Sequence, residues 1–278
     1  MPDIDAMERF VAAGQAQALR ATEAAQSVMY DAWDAARPAT RIRLAHKALS
    51  ISPLCADAFV LLGQEEATTP LKALRYHTLG VAAGERALGP KLFEEYEGEF
   101  WGWLETRPYM RARHCVALAL IALDRTEEAE AHCRDMLRLN PGDNQGIRYL
   151  LLRLLLDRDD GAAADALMAR YEDEISTEWC YAAALRAFQL GQGDGVDALR
   201  HVSAAMDCNR HVPALLAKEG RRRAPSAPYI ALGSLEEARL FVVDFGAAWH
   251  RTPGAVSWLV ERAAAWTPPP PHRGRQPD

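Results

Sequence analysis

The feature that most constrains this chain is a recurrence of small and apolar residues at about 34-residue intervals, the length of one helix–turn–helix unit. Ala129 and Ala163 stand one interval apart. Leu120 falls on Leu154 and then on Phe188, Val116 on Leu150 and then on Ala184, and Cys133 on Leu167. These residue types suit positions where two antiparallel helices pack closely. A unit of this size cannot bury its apolar face alone, so neighbouring units must stack and share a core. The expected fold is all-α: a right-handed α-solenoid of helix–turn–helix repeats with atypical terminal helices. Such a fold offers long surfaces, which points to an interaction protein.

Composition agrees with a folded chain. Of the 278 residues, 49% are hydrophobic and 25% charged, which is ordinary for a globular protein. The formal net charge of −6 gives no global basic field to draw the chain to nucleic acid. No apolar run approaches the roughly 20 residues that span a bilayer; the longest candidate, Tyr149 to Leu156, is interrupted by Arg153. Residues 1–10 contain Asp3, Asp5 and Glu8 and lack the basic start and apolar stretch of a secretion signal. Cytoplasmic residence is the expectation. The five cysteines, Cys55, Cys115, Cys133, Cys180 and Cys208, have no framework-like spacing, so a disulfide scaffold is not expected.

Gly and Pro fall between helical stretches as punctuation. Residues 1–38 read as one or two amphipathic helices, ended at Arg37-Pro38. Residues 39–84 form a repeat region. Its helix from Ala39 to Ser50 closes at Pro53, just as the helix containing Cys133 closes at Pro141. Phe59, Leu62 and Gly63 then open the next pair, with Gly63 letting its helices approach closely. Thr68 or Thr69 serves as N-cap and Pro70 sits in the first turn of the second helix. Residues 85–106 break the period with Phe93, Tyr96, Phe100, Trp101 and Trp103 among glutamates. Such an insert is either a helix packed along one side or part of a binding surface, and aromatics favour packing. Residues 107–210 hold three repeats in register: 107–141, 142–175 and 176–210. In the third, Ala198 comes one place late and Gly191 to Gly195 loosen the turn. Residues 211–266 end in two capping helices, from Ser234 to about His250 and from Gly254 to about Trp266. Residues 267–278, with four consecutive prolines, read as a disordered or extended tail.

Catalytic and cofactor motifs are absent. There is no phosphate loop, no dinucleotide fingerprint and no nucleophile elbow. Gly191 to Gly195 has no strand before it and reads as a turn. His114-Cys115 and His132-Cys133 are adjacent pairs, and neighbours on a helix diverge by about 100°, so a metal site is not expected. Paired acids such as Glu127-Glu128 and Glu236-Glu237 sit early in their helices, where the macrodipole favours them. They read as solvated faces rather than acid–base pairs. Arg221-Arg222-Arg223 reads as a solvated loop.

The aromatic–Leu–Gly opening, the small packing residues and the terminal proline resemble the tetratricopeptide repeat. The resemblance implies that the first helix of each pair lines a concave groove. Counting from the repeat starts, that face carries Arg111 and His114, then Gln145, Arg148 and Leu152, then Trp179, Arg186 and Gln189. Arginine offers a planar fork for carboxylates or phosphates, and Trp179 an apolar anchor. The expected partner is another protein or an acidic peptide, bound without cofactor or metal; nucleic acid and membrane are not expected, and the oligomeric state is open. One alternative is an enzyme or enzyme subunit using Trp101, Trp103, Glu105, Arg107 and Arg111. Another is an RNA-binding regulatory solenoid, supported only by scattered arginine.

Three stretches add a narrower likeness. They are Leu61 to Thr69 (LLGQEEATT), Arg210 to Leu216 (RHVPALL), and Gly233 to Ala238 (GSLEEA) running on to Trp249 and Gly254-Ala255. Over roughly residues 41–259 the chain resembles the suppressor-of-tumorigenicity-seven family of tetratricopeptide proteins. The resemblance implies an all-helical, non-enzymatic scaffold and a soluble, bacterial-type relative. It brings no catalytic residues.

Overall fold

The computed structural model describes residues 4–191, 195–218 and 229–267, with side chains from residue 17 onward. These residues form helices and no strand. The chain divides into two compact units, Met1–Leu151 and Leu152–Asp278. The division falls inside the block that the sequence reads as three continuous repeats.

The first unit contains α1 (Ile4–Asp34), α2 (Pro38–Ile51), α3 (Ala56–Glu65), α4 (Pro70–Glu95), α5 (Arg107–Ile121) and α6 (Thr126–Leu139). The boundary lies within α7 (Ile147–Asp157). In the first unit α1 packs on α2, α3 on α4 and α5 on α6, while α3 also lies against α5. Pro38 and Pro70 occupy first turns, where a missing N–H is harmless. The Thr69 hydroxyl accepts from the Lys72 amide and caps α4. Gly63 provides the close approach expected of it: a Cβ there would collide with the buried His77 ring.

The second unit contains α8 (Gly161–Arg170), α9 (Thr177–Gln189), α10 (Val196–Cys208), α11 (Val212–Leu216), α12 (Leu235–Arg251) and α13 (Ala255–Ala265). Here α8 and α10 both pack on α9, and α11 on α12. Asp160, Ser176 and Ser234 cap α8, α9 and α12 through their side chains.

The packing register expected from the 34-residue recurrence needs one correction. Ala163 is only half-buried, whereas Ala129, Ala164 and Ala198 are each fully buried. The packing slot in α8 is therefore Ala164, and Ala198 is not late. Three successive alanines, Ala162 to Ala164, concealed the register, because only orientation distinguishes them. The turns that end α5 and α7 also use a signal beyond Gly and Pro. Asp124 and Asp159 both take φ 59°. Behind them the Arg125 and Asp160 amides donate to the Leu120 and Leu155 carbonyls. The Asp124 and Asp159 amides donate to Ile121 and Leu156, completing two Schellman turns. Gly191 adopts φ 72° at the end of the corresponding α9 turn. The remainder of that loop (192–194), the Arg221–Arg223 run and the proline tail from residue 268 lie outside the described residues.

The aromatic insert packs through Phe93 and Phe100, while Trp103 and Leu104 stand 40% and 66% exposed. α4 runs past residue 85 to Glu95 and is broken at Gly89 (φ 70°, ψ 161°), just before Pro90. Two 3-10 turns follow, Phe100–Gly102 and Leu104–Thr106. Phe100 is fully buried, and Phe93 lies 5.0 Å from both the Phe100 and Tyr109 ring centres. The Gly98 amide donates to the Leu139 carbonyl, which ties the insert to the end of α6.

Candidate functional site

In the first unit, Arg111 on α5 points at α3. Its Nε donates to Asp57 Oδ1 at 2.8 Å and its Nη2 to Asp57 Oδ2 at 2.5 Å, a two-point ion pair. Asp57 is wholly buried in the first turn of α3, where the helix dipole favours a negative charge. Gln26 of α1 donates to Asp57 Oδ2 at 2.7 Å. The Arg111 guanidinium also lies 5.1 Å from the Trp33 ring centre. Asp57 thus joins α1, α3 and α5.

Arg148 is likewise engaged within its own element. Asp143, buried and in the left-handed region at φ 46°, accepts from the Ile147 and Arg148 amides and caps α7. Arg148 Nη1 donates to Asp143 Oδ2 at 3.0 Å, and Nη2 donates to the Tyr149 hydroxyl at 2.7 Å. His114 is partly buried, and desolvation holds its pKa below the ordinary histidine value against the pull of Asp143. Gln145 has a buried Oε1 without a hydrogen-bond partner among the described residues.

In the second unit, Trp179 and Arg186 turn toward α8. Arg186 forms a two-point pair with Asp165, both contacts at 2.9 Å, and its Nη1 donates to Gln189 Oε1 at 2.7 Å. Gln189 in turn donates to Thr252 Oγ1 at 3.0 Å. Trp179 is only 5% exposed and meets the Tyr171 ring edge-on. It is a partly packed wall residue rather than an open anchor. A cleft of about 450 Å³ lies between α8 and α10 with α9 as its floor. Trp179, Ala183, Arg186 and Leu190 line it from α9 and its end, Met168 from α8 and Ala204 from α10. Ile175 and Leu190 at its rim are 79% and 57% exposed.

One polar centre was missed in the sequence. Glu237, read there as part of a solvated acidic pair, is buried. Its Oε2 accepts from Thr177 Oγ1 at 3.1 Å, Asn209 Nδ2 at 2.8 Å and the Gly233 amide at 2.8 Å. Asn209 Nδ2 also donates to the Ser234 carbonyl, and the Asn209 carbonyl accepts from the Tyr181 hydroxyl. This network joins the stretch beginning at Arg210 to the stretch beginning at Gly233, two of the three that carried the narrower likeness. A Ser–x–x–Glu spacing before an apolar run, Ser234 to Glu237, was the available signal.

Comparison with known proteins agrees with that likeness. A family model described as ST7 protein matches residues 15–259. The chain belongs to this family. Among its relatives, "Suppressor of tumorigenicity 7 protein-like" of Gallus gallus is 28% identical over 256 residues, covering 84% of this chain and 46% of the relative. "Protein ST7 homolog" of Drosophila melanogaster is 26% identical over 257 residues, covering 84% of this chain and 47% of the relative. The chain therefore spans about half the length of the curated ST7 relatives it matches. No helix among the described residues is long and apolar enough to cross a membrane.

Of the residues of the enzyme alternative in this ST7-family chain, Arg107 and Trp101 meet, while Trp103 and Arg111 are engaged elsewhere. Arg107 Nε donates to the Trp101 carbonyl, and its guanidinium lies 5.3 Å from the Trp101 ring centre. Trp103 stacks on Tyr96 at 4.3 Å, while Arg111 is held at Asp57. Glu105 lies in the second 3-10 turn. Among the described residues, no group of three or more His, Cys, Asp or Glu side chains is arranged to hold a metal ion.

Proposed function

We propose that this chain is a non-catalytic, tetratricopeptide-type binding module that docks a segment of another protein in the cleft between α8 and α10. The observation carrying this reading is the cleft itself: Ile175 and Leu190 stand exposed at the rim of a concavity walled by Trp179 and Arg186. Exposed large apolar side chains around a groove are a feature of docking sites. The helix pairing, capping and buried Ala129, Ala164 and Ala198 slots support the repeat assignment. A scaffold role fits a soluble, cytoplasmic protein of bacterial type.

The lining charge favours a different partner from the acidic peptide expected from sequence. Arg111, Arg148 and Arg186 are each matched by an aspartate. Among the described residues, the cleft carries Asp165, Glu172 and Glu174 against the guanidinium of Arg186. A segment presenting lysine or arginine beside a large apolar residue complements that lining.

Selection from a random peptide library on the full chain tests this reading. Basic–apolar sequences should be enriched. A selected peptide should bind with micromolar affinity and weaken about tenfold on Leu190→Ser, because the variant removes an exposed apolar rim contact without adding charge. Enrichment of acidic peptides, or binding unchanged by Leu190→Ser, would remove the cleft from the function.

A further inference from the structure

Nothing in the spacing of the five cysteines pairs any two of them, and all are free thiols. The fold nevertheless brings two of them together. Cys180 in the first half of α9 and Cys208 at the end of α10 have Sγ atoms 2.6 Å apart. Both thiols also point at one carbonyl, that of Ile175, at 3.7 Å from Cys180 and 3.2 Å from Cys208. Both side chains are partly exposed, and Cys180 lines the cleft between α8 and α10. Unbonded sulfurs rarely approach this closely, and little movement is needed to reach a disulfide bond of about 2.05 Å.

We propose that Cys180 and Cys208 are an oxidative modification site, a dithiol that closes reversibly to a disulfide on reaction with a peroxide. The Cys208 thiolate attacks one peroxide oxygen, breaks the O–O bond and becomes a sulfenic acid as the other oxygen leaves as water. Cys180 then loses its proton, attacks Cys208 Sγ and expels the sulfenic oxygen as a second water. Two thiols give up two electrons and two protons, hydrogen peroxide is reduced to two waters, and one S–S bond forms.

The local chemistry supports that order. Hydrogen bonding from Cys180 lowers the Cys208 pKa, while the same contact and burial raise that of Cys180. The first negative charge therefore falls on Cys208, and the second thiol stands ready to resolve it. The other cysteines lack this arrangement. Cys55 and Cys133 are fully buried, and desolvation pushes the thiols of Cys55 and Cys115 up to about 11.

The test treats the full chain with hydrogen peroxide at neutral pH, blocks remaining thiols with N-ethylmaleimide, and digests it with trypsin without reduction. Mass spectrometry should find the peptides spanning 171–186 and 201–210 linked, with the loss of two hydrogens, and separated again by dithiothreitol. Thiol loss at Cys208 should run about tenfold faster than at Cys115. In Cys180→Ser the linked species should vanish and dimedone should trap a sulfenic acid on Cys208. Cys115→Ser should leave the link intact and guards against a general effect of removing a cysteine. Recovery of both Cys180 and Cys208 as blocked thiols, or linkage of either to another cysteine or another chain, would overturn the proposal.

Discussion

Each unit anchors a helix through a buried carboxylate near the helix start, but the two are neutralised differently. In the first unit Asp57 of α3 meets the full charge of Arg111, with Gln26 as a second donor. In the second unit Glu237 of α12 is held by three uncharged donors: a hydroxyl, a side-chain amide and a backbone amide. Both tie together segments distant in sequence. An ion pair makes its two members dependent on each other, because either alone leaves a charge in a dry site. A carboxylate solvated by neutral dipoles shares the dependence among several weaker bonds. The first unit should therefore be sensitive to the loss of one residue, while the second should tolerate single losses.

The sharpest break between the units is Arg111→Ala against Thr177→Val. Removing Arg111 strands the Asp57 carboxylate and is expected to cost about 3 kcal/mol. Removing the Thr177 hydroxyl leaves Glu237 two donors and should cost about 1 kcal/mol. Urea unfolding of the full chain, followed by hydrogen exchange to assign the loss to a unit, measures both. Equal losses would mean that the guanidinium contributes no more than a neutral donor.

Amide-for-carboxylate substitutions sharpen the same point. Glu237→Gln keeps an acceptor oxygen of the same reach for neutral donors, so about 1 kcal/mol is expected. Asp57→Asn removes the charge that Arg111 pairs with and also presents an NH2 group to donors; about 2 kcal/mol is expected. If Glu237→Gln proved the more costly in the same unfolding measurement, the charge on Glu237 would matter more than its hydrogen bonds.

How these centres could be read from sequence differs for a physical reason. Helix starts and stops were legible where a side chain acts on its own backbone: Thr69 capping α4, Pro70 opening it, and Ser234 capping α12. The Asp124 and Asp159 turns escaped because aspartate rarely takes φ above zero. Orientation around a helix was the weak point. One residue is about 100° of rotation, enough to exchange Ala163 for Ala164. Trp179 and Arg186 were correctly placed on α9, but they face α8, and no local pattern discloses that. The Ser234-x-x-Glu237 spacing marked a helix start but not the burial of Glu237, and nothing local marked Asp57, because every donor to either carboxylate except the Gly233 amide lies 28 to 60 positions away along the chain. The Cys180–Cys208 pair shares this character: its two thiols are 28 positions apart.

Acidification should move the units in opposite directions. Burial lowers the pKa values of His77, His114 and His132, all in the first unit, with His77 reaching about 4. A histidine held neutral in this way binds its proton less readily in the folded chain than in the unfolded one. Its contribution is full above about pH 6.5 and is lost as pH falls toward 4. In the second unit burial raises Glu178 and Asp244, Arg153 partly offsetting the latter. Those carboxyls take up protons in the folded chain at a higher pH than when unfolded, so acidification relieves their penalty. Hydrogen exchange, corrected for intrinsic rates, should show α4 opening about tenfold more readily at about pH 5 than at neutrality. α9 and α12 should be unchanged or better protected. His77→Gln should flatten the response of α4, and a uniform loss across both units would contradict the contrast.

The smallest effect tests what the units share. Asp124 and Asp159 close the same kind of turn with the same φ of 59°, one in each unit. Glycine adopts that conformation without the steric cost borne by an L-residue, but loses more freedom on folding. The two terms nearly cancel, leaving an expected gain of about 0.5 kcal/mol for either Asp→Gly substitution. If the turn is governed by local backbone alone, Asp124→Gly and Asp159→Gly should raise the unfolding midpoint equally. Asp159 also lies electrostatically near Arg186, so a gain at 124 paired with a loss at 159 would show that the second turn has been drawn into the Arg186–Asp165 centre. Equal gains would confine the difference between the units to their long-range polar anchors.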